Sequence, residues 1–93
     1  MLNFCIVGTG LMGTRHAKNI SENSRSNLYS VVDINLQAAK YVAKKYGAKI
    51  APDIYSALDD KHVDVVMITS PASSHCELAI SAARAGKAIF CEK

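Results

Sequence analysis

Five short apolar runs alternate along the chain with stretches whose apolar residues recur at helical spacing, and the period changes at every boundary. This alternation constrains the fold more than any other feature. A brief unbroken apolar run suits a strand covered on both faces, and helices between successive strands impose parallel pairing with right-handed crossovers. The runs are Phe4 to Val7, Leu28 to Val32, Ala48 to Ala51, Val63 to Thr69 and Ala88 to Cys91. The third is weak and stops at Pro52. Between them the spacing predicts a helix carrying Met12, His16, Ala17 and Ile20 on one side, and a second carrying Ala39, Val42, Ala43 and Tyr46. A short turn follows through Ala57 and Leu58, then a helix through Leu78, Ala79, Ile80 and Ala83. The result is an α/β chain with a doubly wound parallel sheet.

The punctuation agrees. Asn35 is placed to cap the second helix, and Gly47 follows it where a residue free to take positive φ is wanted. Asp53 can cap the short turn. Ser74 and Glu77 make the pattern Ser-x-x-Glu, a capping box opening the last helix, which Gly86 closes. Length and composition fit one modest soluble domain: 93 residues, 49% apolar, 20% charged. The net charge of +3 is small, and Lys40, Lys44 and Lys45 read as the wet face of a helix, with no nucleic-acid partner. No run approaches the length of a membrane helix, and the N-terminus lacks the features of a signal peptide. Cys5, Cys76 and Cys91 lack CxxC spacing and sit in apolar surroundings, as small hydrophobes in a reducing cytoplasm. His75 and Cys76 are adjacent and so do not make a metal pair; no metal site is expected.

Gly8-Thr9-Gly10-Leu11-Met12-Gly13 fits G-x-G-x-x-G. A plain glycine turn could show the same pattern. Here it follows a strand directly, opens a helix, and is followed by an acidic residue at the end of the next strand. Gly8 allows the tight turn, Gly10 leaves room for a pyrophosphate against the backbone, and Gly13 lets the helix approach the sheet. The unpaired N–H groups that open the helix point at the phosphates. Asp33 lies twenty residues after Gly13, where a carboxylate accepts hydrogen bonds from the adenosine ribose and repels a 2′-phosphate. No arginine follows it closely, the next residues being Ile34, Asn35 and Leu36, so the cofactor expected is NAD rather than NADP. Asp33 could instead cap the second helix, and both roles can hold. Thr69-Ser70-Pro71 ends the fourth strand, either as an ordinary strand stop or as the nicotinamide side of a site at the strand carboxyl ends. Glu92-Lys93 falls on the same rim. Lys93 could be a solvated terminal residue, or could orient a substrate hydroxyl and help move its proton.

Taken together, these residues resemble the Gfo/Idh/MocA oxidoreductases, the glucose–fructose oxidoreductase and inositol dehydrogenase family. The resemblance rests on Gly8 to Gly13 with His16 following, on Val32-Asp33, on Val65 to Pro71 with His75 following, and on Ala85-Gly86-Lys87 leading to Cys91-Glu92-Lys93. It implies that residues 1–93 form a Rossmann-type NAD(P)-binding domain that oxidises, with a C-terminal substrate domain, a secondary hydroxyl of a sugar, cyclitol or related compound. That second domain, with the family's catalytic Asp and His, lies outside these residues, so the domain is read as incomplete. The resemblance makes Lys93 the catalytic residue at the reacting hydroxyl. It places Thr69, Ser70, Pro71, His75 and Glu92 beside the cofactor, with Gly8, Thr9, Gly10, Leu11, Met12, Gly13 and Asp33. Many members carry a polar residue after the Pro, where this chain has Ala72. A homo-oligomer is implied. The alternatives are a stand-alone NAD-binding module and a non-catalytic fragment. An unprotected last strand would make such a fragment self-associate.

Overall fold

The computed structural model describes residues 1–69 and 75–91. In chain order it has β1 (Leu2–Val7), α1 (Leu11–Glu22), β2 (Ser26–Val32), α2 (Leu36–Tyr46), β3 (Lys49–Ile50), α3 (Ile54–Asp59), β4 (Val65–Ile68), α4 (His75–Arg84) and β5 (Ala88–Cys91). The five strands form one sheet in the order β3-β2-β1-β4-β5, every pair parallel. This is the doubly wound α/β sheet that the alternating periods predict.

Alternation along β1 sorts the core into two layers. Ile6 packs with Ala17 and Ile20 of α1 and with Val42 of α2. Cys5 and Val7 face the other way, with Ala57 and Leu58 of α3 and Ala82 of α4. Helices α1 and α2 therefore cover one face and α3 and α4 the other. Right-handed crossovers require this when the chain builds outward from β1 to β3 and then returns to place β4 on the far side of β1. The reversal falls between β1 and β4, where the two following loops leave toward opposite faces and open a crevice at the strand carboxyl ends.

Local chemistry sets the element ends. Asn35 accepts from the Ala38 amide at 3.2 Å and caps α2. Gly47 closes it with φ 71°, in the left-handed region. Asp53 caps α3 through the Ser56 amide at 2.8 Å. The capping box proposed for α4 lies outside the described residues at Ser74, and nothing is described of the Glu77 side chain.

Three details depart from the sequence reading. β3 is only two residues long, and both are exposed. β4 begins at Val65, because Val63 sits in a turn with its amide on the Asp60 carbonyl, although its side chain is buried in the core. Met12 is 37% exposed and off the buried stripe of α1, which is Gly13, Ala17 and Ile20; it lies on the first, open turn of the helix. The lysine face of α2 is wet as expected, with Lys40, Lys44 and Lys45 all exposed; Tyr41, 62% exposed, shares it, and the Lys45 ammonium lies 5.7 Å and 5.6 Å from the Tyr41 and Tyr46 ring centres.

The register of β1 on β2 slips between Phe4 and Cys5, which pair with Leu28 and Ser30. The extra residue, Tyr29, bulges β2 and turns Ser30 toward Cys5 on the α3 face. Cys5 is fully buried, and burial pushes its thiol up to about 11, with the Ser30 hydroxyl acting the other way. His62 is exposed and lies 3.2 Å from the Asp60 carboxylate. Among the described residues no helix is long and apolar enough to cross a membrane.

Candidate functional site

The loop between β1 and α1 is the best-built part of the crevice. Gly8 takes φ 98°, which only glycine adopts without strain, and its amide donates to the Val32 carbonyl at 2.8 Å. The turn is thereby hooked to the end of β2. Thr9 follows, 7% exposed, and both its amide (2.8 Å) and its hydroxyl donate to Oδ2 of Asp33. The Asn35 amide donates to Oδ1 at 2.9 Å. Partial burial alone would raise the pKa of Asp33. The hydrogen bonds from the Thr9 hydroxyl, the Asn35 amide and the Thr9 amide outweigh it, and the carboxyl is held below its ordinary range.

These contacts bear on one of the two roles left open for Asp33, that of helix cap. Asn35, not Asp33, caps α2. Asp33 instead joins the end of β2 to the glycine-rich loop. A carboxylate offers about four lone-pair sites, and three are used here, so roughly one remains for an incoming hydroxyl.

Gly10 is the N-cap of α1, and no side chain caps that end. The first N–H groups of a twelve-residue helix thus open on the crevice with the positive end of the helix dipole behind them. A Cβ built on Gly10 would meet nothing within 4 Å, so the space over the helix end is open. At Gly13 the opposite holds. A Cβ there would lie 2.1 Å from the Gly8 carbonyl oxygen and 2.8 Å from Thr69 Oγ1. One glycine of the motif leaves room for a ligand, and another permits contact between helix and strand.

Two hydroxyls that the motif does not contain complete the loop. Thr14 Oγ1 donates back to the carbonyls of Gly10 (2.9 Å) and Thr9 (3.2 Å). Thr69, at the end of β4, bonds the Val7 carbonyl through its amide at 2.8 Å, and its hydroxyl reaches the Gly8 carbonyl at 2.7 Å and Val7 at 3.1 Å. The Thr69 side chain thus braces the loop from the β4 side. Thr14 was missed because a threonine in a first helical turn carries no signal of its own.

Leu11 is 71% exposed beside the helix end, and Ile34, next to Asp33, is fully exposed. Ile34 follows a strand and precedes a capping residue, so no core is available to it; that position could have marked it in the sequence. Ser70, Pro71, Glu92 and Lys93 lie outside the described residues. The His75 backbone begins α4, but nothing is described of its side chain. Among the described residues no group of three His, Cys, Asp or Glu side chains could hold a metal ion. A cavity of about 330 Å³ lies at the other end of the sheet, between Leu2 and Phe4 of β1 and Asn19 and Asn23, and is no part of this crevice.

The chain as a whole has known relatives. The family GFO_IDH_MocA, described as an oxidoreductase family with an NAD-binding Rossmann fold, matches residues 2–93. An inositol 2-dehydrogenase of Pseudomonas fluorescens is 40% identical over 95 residues, covering 99% of this chain and 28% of that protein. The crystal structure of myo-inositol dehydrogenase from Lactobacillus casei in complex with NAD(H) and myo-inositol is similar at TM-score 0.95 and 29% identity, covering 100% of this chain and 28% of the other. That of biliverdin reductase from Synechocystis, in complex with biliverdin and NADP+, is similar at TM-score 0.94 and 26% identity, covering 99% and 29%. The chain spans about 28% of the length of the curated relatives it matches.

Proposed function

Because this chain belongs to the Gfo/Idh/MocA oxidoreductase family, whose NAD-binding Rossmann fold residues 2–93 form, we propose that it binds NAD and serves a dehydrogenase acting on a secondary hydroxyl of a sugar, cyclitol or related compound. The observation that carries the reading is a juxtaposition. An uncapped helix N-terminus opens onto free space at Gly10, beside a carboxylate, Asp33, that the same loop holds ionised.

The division of labour follows. The N–H groups at the start of α1 would hold the pyrophosphate, and the open space at Gly10 would leave room for it. Asp33 accepts from the adenosine ribose through its remaining lone pair and repels a 2′-phosphate. Ile34 and Leu11 offer exposed apolar surface to the adenine ring. When bound, the nicotinamide supplies the redox chemistry by taking a hydride from the carbon that bears the hydroxyl. Family resemblance assigns Lys93, after β5, to orient that hydroxyl and help move its proton, and sets Ser70, Pro71, His75 and Glu92 along the cofactor. Relatives support the substrate class: the Lactobacillus casei enzyme was crystallised with myo-inositol. Choice of cofactor rests on Asp33, since one relative of the same fold binds NADP+.

Two measurements test the reading. Titration of the chain with NADH and NADPH, followed by reduced-nicotinamide fluorescence, should give saturable NADH binding and weaker NADPH binding; the absence of saturable NADH binding sinks the proposal. The protein isolated from its source cell should reduce NAD in the presence of myo-inositol or another polyol of a panel. Failure with the whole panel would leave cofactor binding standing and remove the dehydrogenase assignment.

A further inference from the structure

Thr9 occupies the first variable position of the glycine motif, where a side chain is expected to point at the ligand or at solvent. It does neither: it is buried, and its two donors converge on one oxygen of Asp33. We infer that Thr9 is a specificity-determining positioning residue, which holds Asp33 in the one orientation that accepts a ribose hydroxyl and excludes a 2′-phosphate. The inference rests on the reading that the crevice takes a dinucleotide, and it adds what enforces the choice between the two.

The need for such a residue follows from where Asp33 lies. It follows β2 directly, is only half-buried, and is followed by an exposed Ile34. A carboxylate there has other staggered positions open toward water, and in those it would give way to a phosphate brought to the ribose. Asn35 restrains Oδ1 through its amide alone. Thr9 restrains Oδ2 through two donors, one on the loop backbone, so the carboxylate can swing out only by breaking both. Charge-assisted hydrogen bonds of this type also stabilise the ionised form, which is the form that repels phosphate. The direction of the Asp33 pKa agrees, with the Thr9 hydroxyl the largest of the contributions that lower it. Through these contacts Thr9 acts on the cofactor by way of Asp33.

The test is a double-mutant cycle on the 93-residue chain, read as the ratio of NADPH to NADH dissociation constants by nicotinamide fluorescence. The ratio within one variant cancels any loss of folded population. Thr9→Val keeps the shape and removes the hydroxyl. It should reduce the ratio roughly tenfold, the order expected for one charge-assisted hydrogen bond. Thr9→Ser, which keeps the hydroxyl, should restore most of it. In an Asp33→Asn background, where no charge remains to be positioned, Thr9→Val should leave the ratio unchanged. Lowering the pH should erode the discrimination in Thr9→Val at a higher pH than in the native chain, because the carboxyl loses a hydrogen bond that favours its ionised form. A ratio unaltered in Thr9→Val, or lowered equally in both backgrounds, overturns the inference while leaving NAD binding intact. A native chain that binds no NADH overturns the cofactor reading and this inference with it.

Discussion

Gly13→Ala adds one methyl group where the structure has no room for it. The new Cβ would lie 2.1 Å from the Gly8 carbonyl oxygen and 2.8 Å from Thr69 Oγ1. The first distance falls short of a comfortable contact by more than about 1 Å. The Gly8 oxygen cannot retreat easily, because it accepts from Thr69 at 2.7 Å and its own residue is hooked to Val32. Relief must come from α1 lifting off the sheet, which loosens Ala17 and Ile20 against Ile6 and Met67. Overpacking costs roughly 1–3 kcal/mol, and the upper end applies where the obstacle is backbone. Replacing glycine by alanine within a helix returns about 1 kcal/mol. The net loss is about 2 kcal/mol, which for a domain of this size lowers Tm by roughly 8–16 °C. Thermal unfolding followed by far-UV circular dichroism at 222 nm measures this directly. Gly10→Ala is the matched control. Its Cβ meets nothing within 4 Å, so Tm should stay within a few degrees, whereas NADH affinity should fall at least about tenfold as the methyl enters the pyrophosphate space. The reasoning is refuted if Gly13→Ala melts with the native chain, or if Gly10→Ala is the less stable of the two.

Gly47→Ala puts a Cβ on a residue at φ 71°, with open space around it, so only backbone strain is felt; a loss of about 1 kcal/mol and a Tm lower by roughly 4–8 °C are expected, and Gly47→Asn should recover part of it. Cys5 keeps its proton in the fold to about pH 11 against an ordinary 9.0. The unfolded chain therefore sheds that proton first, and stability should decline between those values by an amount of order 2 kcal/mol, a slope that Cys5→Ala should flatten in urea titrations at stepped pH. In native protein at pH 8 an alkylating reagent should leave Cys5 unmodified in peptide mass maps and label it once denaturant is added.

Element order and sheet parallelism were legible because they depend on local periodicity and on a handedness rule, both readable without contacts. The caps at Asn35, Asp53 and Gly47 were legible because each satisfies a backbone need one to three residues away. The features that escaped are those set at a distance. The shortness of β3 reflects an edge position that pairs only with β2, and the slip in β2 depends on which residues of β1 face it. Met12 has a helical period but no sheet beneath it. The link from Thr9 to Asp33 joins residues 24 apart, and the sequence placed both at the site without relating them. For Asp33 the sequence left two roles open. The geometry removes the capping role, by giving that bond to Asn35.

The three threonines around the loop bear on how it can bind at all. A stretch with glycine at positions 8, 10 and 13 has more conformational freedom than any other loop in the chain, and fixing it on ligand would carry a correspondingly large entropic penalty. Yet those glycines cannot be replaced: one takes positive φ, one leaves the ligand's space, and one permits helix contact. The rigidity must therefore come from neighbours. Thr9 ties the loop to β2, Thr69 ties it to β4, and Thr14 ties it to its own helix, so the loop is fastened in three directions by hydroxyls. Each of these residues lies beside a glycine or across from one, where its hydroxyl reaches a carbonyl or carboxylate that glycine leaves accessible. Each bond removes freedom that binding would otherwise have to remove, so less affinity is spent on arranging the loop. On the proposed reading the glycines leave the space for a dinucleotide, and the hydroxyls beside them hold the loop that borders it.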